Sequence, residues 1–261
     1  MKIGVFGYGH VGGTMARAFG RHHDVYVYDP EHPPIATDDA LTHASDCELV
    51  FICVPTPTLP CGTVDLTLVE WALAHCHHRG LADSTIVIRS TVPPLAQFPE
   101  MKPGQVLHMP EFLSRRTADS DFRGRKHLVV GGKFTDIARR RIVEAFAPVT
   151  PHAVLHWATW ELAALLKYAV NGFGAAKVSY FSEVAAIAEG LGVDYRELRE
   201  LVLLDPRIHT EWTQIPGHDG EPGYGGPCLP KDARALLRMA EDLGAPSDVL
   251  QAMVRWARCD F

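Results

Sequence analysis

Short apolar and β-branched runs alternate with helical patterns along the first half of the chain. The run LVFICV at 49–54 is continuously apolar, which is typical of a strand buried on both faces of a parallel sheet. The pattern predicts strands at 2–6, 25–28, 49–54, 85–90, 106–109 and 127–130, and helices at 11–21, 66–78 and 136–146. Because strands that alternate with helices form parallel sheets, residues 1–155 are predicted to fold as a doubly wound α/β domain.

One long helical pattern dominates the second half of the chain, from residue 160 to residue 190. Apolar residues recur along it with the period of a helix, and they include Leu162, Phe173 and Tyr180. Such a helix would be roughly 45 Å long, which is typical of a helical domain or a dimer interface. Further helices are predicted at 194–204, 231–243 and 247–258, around an irregular segment at 205–230. Residues 156–261 are therefore predicted to form an all-α domain that makes a homodimer and so covers the apolar stripe.

Composition and charge exclude several classes of function. The chain has 25 basic and 31 acidic residues, and a net charge of -6 gives no support to nucleic-acid or membrane-surface binding. No run approaches the roughly 18 apolar residues of a membrane span, and the first strand begins at Lys2, which leaves no room for a signal peptide. The six cysteines form no C-x-x-C pair. We therefore expect a cytoplasmic protein with mostly free thiols.

A group of histidines around Cys76 has the residue types of a metal site. His75, His77 and His78 flank this cysteine closely in sequence. Because the sequence offers no second group of ligands, we interpret the group as the polar end of a helix and expect no metal.

The segment GVFGYGHVGG places Gly7, Gly9 and Gly12 in a G-x-G-x-x-G pattern between the first predicted strand and helix. Glycines there allow a tight turn and let backbone N–H groups approach a pyrophosphate at the helix N-terminus. The pattern alone is weak, but the strand, loop and helix around it supply the required context. Asp29 ends the second strand, where a carboxylate accepts the ribose 2′-hydroxyl and repels a 2′-phosphate. The cofactor predicted is therefore NAD; the alternative is that Asp29 is only a turn residue before Pro30.

Five further segments follow the glycine loop in a fixed order. They are VPTPT (54–58), STVPP (90–94), PEFL (110–113), LLKYAVNGFGAAKVSYFSE (165–183) and GYGGPCLPKDARAL (223–236). With these segments the chain resembles the UDP-glucose/GDP-mannose dehydrogenase family of nucleotide-sugar dehydrogenases over nearly its whole length. The last segment is the most specific, because G-x-G-G-x-C-x-P-K-D is hard to meet by chance. The resemblance implies a Rossmann-type domain, then a long helix and an all-α dimerisation domain.

The resemblance also implies an activity, the oxidation of the C6 alcohol of a UDP-sugar to a carboxylate with two NAD⁺. Cys228 would capture the intermediate aldehyde as a thiohemiacetal, and a second hydride transfer would give a thioester that water hydrolyses. The local sequence suits this role, since Pro230 places Cys228 close to a helix N-terminus and Lys231 lies nearby. Both effects favour the thiolate. The alternative is a buried structural cysteine.

Lys167 and Asn171 are four residues apart, on one face of the long helix. By resemblance they point at the reacting carbon, where an ammonium and an amide could stabilise a developing alkoxide or oxyanion. The alternative is a solvent-facing polar stripe. We expect Leu166, Val170 and Phe173 to bury this turn, which argues against that alternative.

The other site residues rest on the resemblance as well. Asp232 matches an aspartate that, with Thr91, holds a water as proton acceptor; the alternative is a first-turn acid favoured by the helix dipole. Glu111 matches a glutamate implicated in thioester hydrolysis, and Arg207 an arginine that contacts the sugar across the dimer interface. The remaining matches are His10, Val11, Val54, Pro55, Thr56 and Lys231 for the cofactor and Phe112, Leu113, Tyr224 and Gly225 for the substrate.

Two departures from the family pattern keep alternatives open. Arg115 stands where the family usually has a second glutamate, and Arg116 follows it, so this loop could favour an anionic group. Family members usually continue into a second Rossmann-like domain that binds the nucleotide, whereas this sequence stops at Phe261. The alternatives are a two-electron NAD-dependent dehydrogenase of another hydroxy substrate and a non-catalytic NAD-binding dimeric subunit. Cys228 argues against the two-electron dehydrogenase, because two-electron chemistry does not require a cysteine.

Overall fold

In the computed structural model, residues 1–31, 46–59, 61–78, 81–98, 104–114, 116–217 and 220–258 are described. The chain divides into two compact units. The first unit comprises Met1–Pro57 and Asp65–Lys167, and the second comprises Thr58–Val64 and Tyr168–Phe261.

The described part of the first unit contains a seven-stranded sheet in the order β2-β1-β3-β4-β5-β6-β7. The strands are β1 (Lys2–Phe6), β2 (Asp24–Tyr28), β3 (Leu49–Ile52), β4 (Thr85–Ile88), β5 (Val106–His108), β6 (His127–Gly131) and β7 (Val154–Ala158). The β5–β6 pair is antiparallel and the other pairs are parallel. The helices of this unit are α1 (His10–Phe19), α2 (Thr67–His78), α3 (Ala118–Arg123) and α4 (Asp136–Phe146), with a 3₁₀ turn at Leu81–Asp83. The predicted α/β fold class is confirmed.

The central strands are apolar throughout because both of their faces are covered. Alternate residues of β3 point to opposite faces, so Phe51 joins one apolar cluster and Ile52 the other. The first cluster includes Phe19 of α1, whose ring stacks on Phe51 at 5.4 Å between centroids. The second cluster includes Val69 of α2. This double burial is the physical reason for the continuous apolar run at 49–54.

Two elements of the first unit were not predicted, α3 and β7. The α3 helix is short and mostly polar, and only Ala118 and Phe122 are buried in it. The β7 strand lies at the sheet edge with residues that are half-buried or exposed, so its sequence carries a weak apolar signal. It spans residue 155, the predicted end of the α/β domain.

The described part of the second unit is built mainly from helices. The long helix α5 (Trp160–Gly190) has the predicted bounds; it starts in the first unit and continues through the second. The others are α6 (Tyr195–Val202), α7 (Leu229–Asp242) and α8 (Asp248–Val254). The turn Thr58–Val64 packs on α7, since a Cβ added to Gly62 would lie 3.0 Å from Cβ of Arg238. No helix in the described residues is both long and apolar enough to cross a membrane.

The buried face of α5 differs from the predicted apolar stripe. Phe173 is 65% exposed, so the expectation that it would bury the turn around Lys167 is wrong. The buried face instead combines small residues with Lys167, Tyr168 and Asn171. Small residues allow close packing: a Cβ on Gly174 would lie 2.9 Å from the ring of Trp212. The covered face of this helix therefore joins small residues to the buried apolar side chains of Val178 and Phe181, whereas Phe173 lies on another face.

Candidate active site

The glycine loop between β1 and α1 has the geometry of a phosphate cradle. Gly7 has a φ of +89°, and a Cβ there would lie 2.8 Å from the carbonyl oxygen of Cys53. A Cβ on Gly12 would overlap the carbonyl oxygen of Gly7. By contrast, a Cβ on Gly9 would meet no atom of the described residues within 4 Å, so the helix N-terminus there is open to a ligand. Its N–H groups and the positive end of the helix dipole suit a phosphate.

Asp29 is tied to this loop by its side chain. It is 8% exposed, and its Oδ2 accepts a hydrogen bond of 2.5 Å from the Tyr8 N–H. Its Oδ1 accepts a bond of 2.9 Å from the Glu31 N–H. The second contact alone would fit a simple turn residue, but the first links the ends of β1 and β2. Asp29 therefore stands where a dinucleotide-binding sheet holds the adenosine ribose.

The other predicted cofactor residues of the first unit lie at the carboxyl ends of neighbouring strands or at the start of α1. His10 is exposed in the first turn of α1, and Val11 follows it. Residues 54–56 follow β3, and the Ser90 hydroxyl donates a hydrogen bond of 2.6 Å to the Val54 carbonyl. Thr91 follows β4 and is half-buried. Parallel strands present ligand-binding residues at this end.

Glu111 and Lys167 form a buried ion pair within the first unit. The Lys167 Nζ donates to Glu111 Oε1 at 3.0 Å and to the Glu111 carbonyl oxygen at 2.7 Å, and the two side chains are 6% and 12% exposed. The Leu113 N–H donates to Glu111 Oε2 at 2.7 Å. Burial raises the pKa of Glu111, but the Lys167 charge and the Leu113 hydrogen bond outweigh burial and hold the pKa below its usual value. Glu111 is therefore a carboxylate at neutral pH.

Phe112 and Leu113 flank this pair. The Phe112 ring lies 5.3 Å from the Lys167 ammonium, and Arg125 donates a hydrogen bond of 2.7 Å to the Phe112 carbonyl. The backbone carbonyls of Glu111 and Phe112 thus each accept a hydrogen bond from a basic side chain.

Arg89 was missed in the sequence analysis and supports the same segment. Its side chain is 4% exposed, and its Nη1 donates to the carbonyl oxygens of Met109 and Pro110 at 2.9 and 3.2 Å. Burial lowers the pKa of Arg89. An arginine directly after the apolar strand residues TIVI is the signal that could have found it, because a buried arginine at a strand end needs nearby carbonyls.

Asn171, Lys231 and Asp232 form a second buried network within the second unit. The Asn171 Nδ2 donates to Asp232 Oδ2 at 2.6 Å, and the Lys231 Nζ donates to Asp232 Oδ1 at 2.5 Å. Asp232 is 1% exposed and Asn171 is 8% exposed. A first-turn acid favoured only by the helix dipole would lie in solvent, so that alternative does not account for these contacts. Asn171 is one turn along α5 from Lys167.

Cys228 is the N-cap of α7 and is exposed, with Pro230 in the first turn of the helix. The alternative of a buried structural cysteine is therefore excluded. Cys47 and Cys76 are buried, and burial raises the pKa of Cys47 to about 11 and that of Cys76 to about 12. These two thiols are inert at neutral pH.

Three predicted substrate residues of the second unit have different surroundings. Tyr224 is 3% exposed, and its hydroxyl donates a hydrogen bond of 2.9 Å to the Met253 carbonyl, so its side chain belongs to the core of the unit. Its backbone N–H donates to the Trp256 carbonyl oxygen at 3.2 Å and its carbonyl oxygen accepts from the Arg258 N–H at 2.9 Å, so the backbone of Tyr224 belongs to the core as well. Gly225 is half-buried. Arg207 is exposed and pairs with Asp205 of its own chain at 2.5 Å.

One departure from the family pattern, the pair Arg115 and Arg116, belongs to the first unit. Arg115 lies outside the described residues. Arg116 lines a cleft of about 500 Å³ beside the glycine loop. The cleft is also lined by Gly9, His10, Arg17, Asp119 and Arg123. Within the described ranges, no three His, Cys, Asp or Glu side chains come together as metal ligands.

A sheet with a glycine cradle after β1 and an acid after β2 is the arrangement of a domain that binds NAD. Two family models match the chain: the UDP-glucose/GDP-mannose dehydrogenase family, NAD binding domain, over residues 34–150, and the central domain of the same family over residues 161–257. The chain belongs to the UDP-glucose/GDP-mannose dehydrogenase family. The predicted family and NAD as the cofactor are thereby confirmed.

Individual relatives agree with this assignment. The chain is 30% identical to the UDP-glucose 6-dehydrogenase AglM of Haloferax volcanii, covering 97% of this chain and 69% of that protein. It is 31% identical to a UDP-glucose 6-dehydrogenase of Pseudomonas aeruginosa, covering 97% of this chain and 64% of the relative. A UDP-glucose dehydrogenase structure from Pyrobaculum islandicum matches with a TM-score of 0.82 and 27% identity over 97% of this chain and 67% of that one. The chain thus spans about two thirds of the length of these proteins.

Proposed function

We propose that the chain carries the catalytic part of a nucleotide-sugar 6-dehydrogenase, which oxidises the C6 alcohol of a UDP-sugar to the carboxylate. The observation that carries this proposal is the exposed thiol of Cys228 at the start of α7, whose first turn holds the buried Asn171–Asp232–Lys231 network. Two-electron dehydrogenation has no use for such a cysteine. NAD⁺, when bound, accepts a hydride in each of two oxidations, and the glycine cradle with Asp29 would hold it.

Asp232 is the proton acceptor of the first oxidation in this scheme. Removing a hydride from the C6 alcohol requires the hydroxyl proton to leave, and a carboxylate reached directly or through water can take it. The hydrogen bonds from Asn171 and Lys231 fix the orientation of this carboxylate, which a general base needs. The product of this step is the C6 aldehyde.

Cys228 acts next. Its sulfur adds to the aldehyde carbon, and the thiol proton passes to the carbonyl oxygen, which becomes the hydroxyl of a thiohemiacetal. Loss of a second hydride and of the hydroxyl proton converts this adduct to a thioester. Lys167 and Asn171, one turn apart on α5, supply an ammonium and an amide that can stabilise the oxygen as negative charge develops.

Glu111 completes the reaction. Attack of water on the thioester releases the carboxylate and returns the thiol of Cys228. A base must take the water proton, and Glu111 is a carboxylate at neutral pH because its pKa is lowered beside Lys167. Glu111, the base for hydrolysis, and Lys167, which stabilises the developing negative charge, thus belong to one ion pair.

We also propose a homodimer through α5. Large apolar side chains along this helix remain exposed, including Phe173 at 65%, Tyr180 at 63% and Ile187 at 62%. They recur every seven residues, so they share one stripe of the helix. A second copy of the chain would cover this stripe and form a two-fold dimer, the commonest symmetry of soluble oligomers.

The deciding experiment counts NADH per sugar. The purified chain is incubated with NAD⁺ and with UDP-glucose, UDP-N-acetyl sugars or GDP-mannose. Two NADH per sugar, with a carboxylate product, are expected. One NADH per sugar would indicate the two-electron alternative, and NAD binding without turnover on any sugar would indicate the non-catalytic subunit.

Two cysteine variants sharpen this test. Cys228→Ala should stop carboxylate formation. Cys61→Ala is the matched control, because Cys61 is also exposed in the second unit, and it should leave the yield unchanged. An undiminished carboxylate yield from Cys228→Ala would rule out the covalent route.

A further inference from the structure

Four aromatic rings gather where β1 and β2 end. Phe6 and Tyr28 are the last residues of these strands and form the last registered pair between them. Their ring centroids are 5.6 Å apart. His75, from the α2 helix, lies 5.9 Å from Phe6 and 5.7 Å from Tyr28. The group thus sits at the carboxyl end of the parallel sheet, where ligands bind.

Trp71 forms the outer end of this group. It is one turn before His75 on α2, and their rings stack at 5.1 Å with an interplanar angle of 25°. It also stacks on Tyr28 at 5.8 Å and 24°. The rings of Tyr28, His75 and Trp71 are therefore nearly parallel and hold one another in place. This contact fixes the orientation of the indole before any ligand binds.

The exposure of the rings increases outward. Phe6 is 2% exposed, whereas Trp71 is 43% exposed. All five tryptophans lie in the described residues, and the other four are less exposed, each half-buried. A fixed, partly exposed indole at a ligand-binding edge offers a flat apolar face to a flat apolar partner.

The two residues that we expect to hold the cofactor are next to Phe6 and Tyr28 in the sequence. Gly7 of the phosphate cradle directly follows Phe6, and Asp29 directly follows Tyr28. If phosphates bind at the cradle and the adenosine ribose at Asp29, the base attached to that ribose lies at the end of β2, beside Tyr28. We infer that Trp71 is the stacking platform for the adenine of NAD. This inference rests on the cofactor and not on the sugar chemistry proposed above.

Binding of ADP-ribose and AMP tests the inference without any sugar. Calorimetry should show Trp71→Leu binding ADP-ribose about tenfold more weakly than the unmodified chain, which is the order of loss for one base–aromatic stack. Trp71→Phe keeps an aromatic face and should recover most of the affinity. AMP should quench indole fluorescence in the unmodified chain and lose most of that quenching in Trp71→Phe.

Leu68→Ala is the matched control, since Leu68 is 46% exposed on the same helix and should bind ADP-ribose normally. Nicotinamide mononucleotide lacks adenine, so its affinity should be the same in Trp71→Leu as in the unmodified chain. Equal loss of both ligands, unchanged ADP-ribose affinity in Trp71→Leu, or no ADP-ribose binding by the unmodified chain would overturn the inference. Normal ADP-ribose results without sugar oxidation would count against the proposed function alone.

Discussion

The side-chain amide of Asn171 donates a hydrogen bond of 2.6 Å to Asp232, and both residues are buried. They are 61 residues apart in the sequence. The bond joins the long helix α5 to the first turn of α7, the turn that Cys228 caps. It is thus a structural link within the second unit.

Asn171→Ala should lower the free energy of unfolding by about 1–3 kcal/mol, because a buried carboxylate loses a charged hydrogen bond. Urea unfolding measures this change. Leu165→Ala, at an exposed position of the same helix, should change stability by less than about 0.5 kcal/mol. Equal stability of the Asn171→Ala variant and the unmodified chain would show that the bond contributes nothing.

Lys167→Met should destabilise the chain by about 3–5 kcal/mol, because Glu111 would stay buried without its partner. The pKa of Glu111 should also rise, since burial would remain while the opposing charge is gone. Adding Glu111→Gln removes the buried charge and should restore part of the stability. A double variant no more stable than Lys167→Met would contradict the pairing.

The same ion pair predicts a pH dependence. The pKa of Glu111 is lower in the folded chain than the ordinary value of 4.5, so the folded state favours the carboxylate. Its stabilising contribution is present above that ordinary value and is lost as the pH falls through the folded pKa. Glu111→Gln should therefore flatten the acid limb of stability, measured by thermal unfolding at a series of pH values below neutrality. An identical acid limb in both proteins would argue against a lowered pKa.

Substitutions of two glycines in the loop between β1 and α1 should separate an effect on folding from an effect on cofactor binding. Gly12→Ala should destabilise the fold, because the new Cβ overlaps the Gly7 carbonyl. Gly9→Ala should leave thermal stability nearly unchanged, because its Cβ enters open space, yet weaken NAD⁺ binding by roughly tenfold where the phosphate approaches. Calorimetric titration with NAD⁺ and a melting curve check both variants. Undiminished NAD⁺ affinity in Gly9→Ala would place the phosphate elsewhere.

Alkylation should distinguish the cysteines of the native chain. Iodoacetamide is expected to modify the exposed Cys228 and Cys61, and to spare Cys47 and Cys76, whose raised pKa values and burial keep them as inaccessible thiols. Mass spectrometry of tryptic peptides identifies the modified positions. Rapid modification of Cys76 without unfolding would contradict its burial.

The exposed stripe of α5 predicts the oligomeric state. Phe173→Asp combined with Ile187→Asp should convert a dimer to a monomer, because charges would replace the apolar side chains at the interface. Light scattering gives the mass. As a control, Val249→Asp at an exposed position of α8 should leave the dimer intact. A monomeric unmodified chain would refute the proposed interface.

Local patterns in the sequence were sufficient to predict most elements of the fold. β1, α4 and α5 have the predicted bounds, because apolar periodicity and glycine positions act over a few residues. The edge strand β7 and the polar helix α3 were missed, since neither carries enough apolar residues to reveal its period. The site residues were assigned by resemblance, and their chemistry remains a prediction.

What the sequence by itself determined was therefore the order of most strands and helices, the glycine loop and the positions of the candidate site residues. Only the tertiary structure decided that Lys167 pairs with Glu111, that Asn171 holds Asp232 and that Phe173 is exposed on the surface of the single chain. The first two pairs bring together residues far apart in the chain, and the third depends on which face of α5 packs most closely. Such contacts arise from packing of whole elements, which local periodicity does not encode.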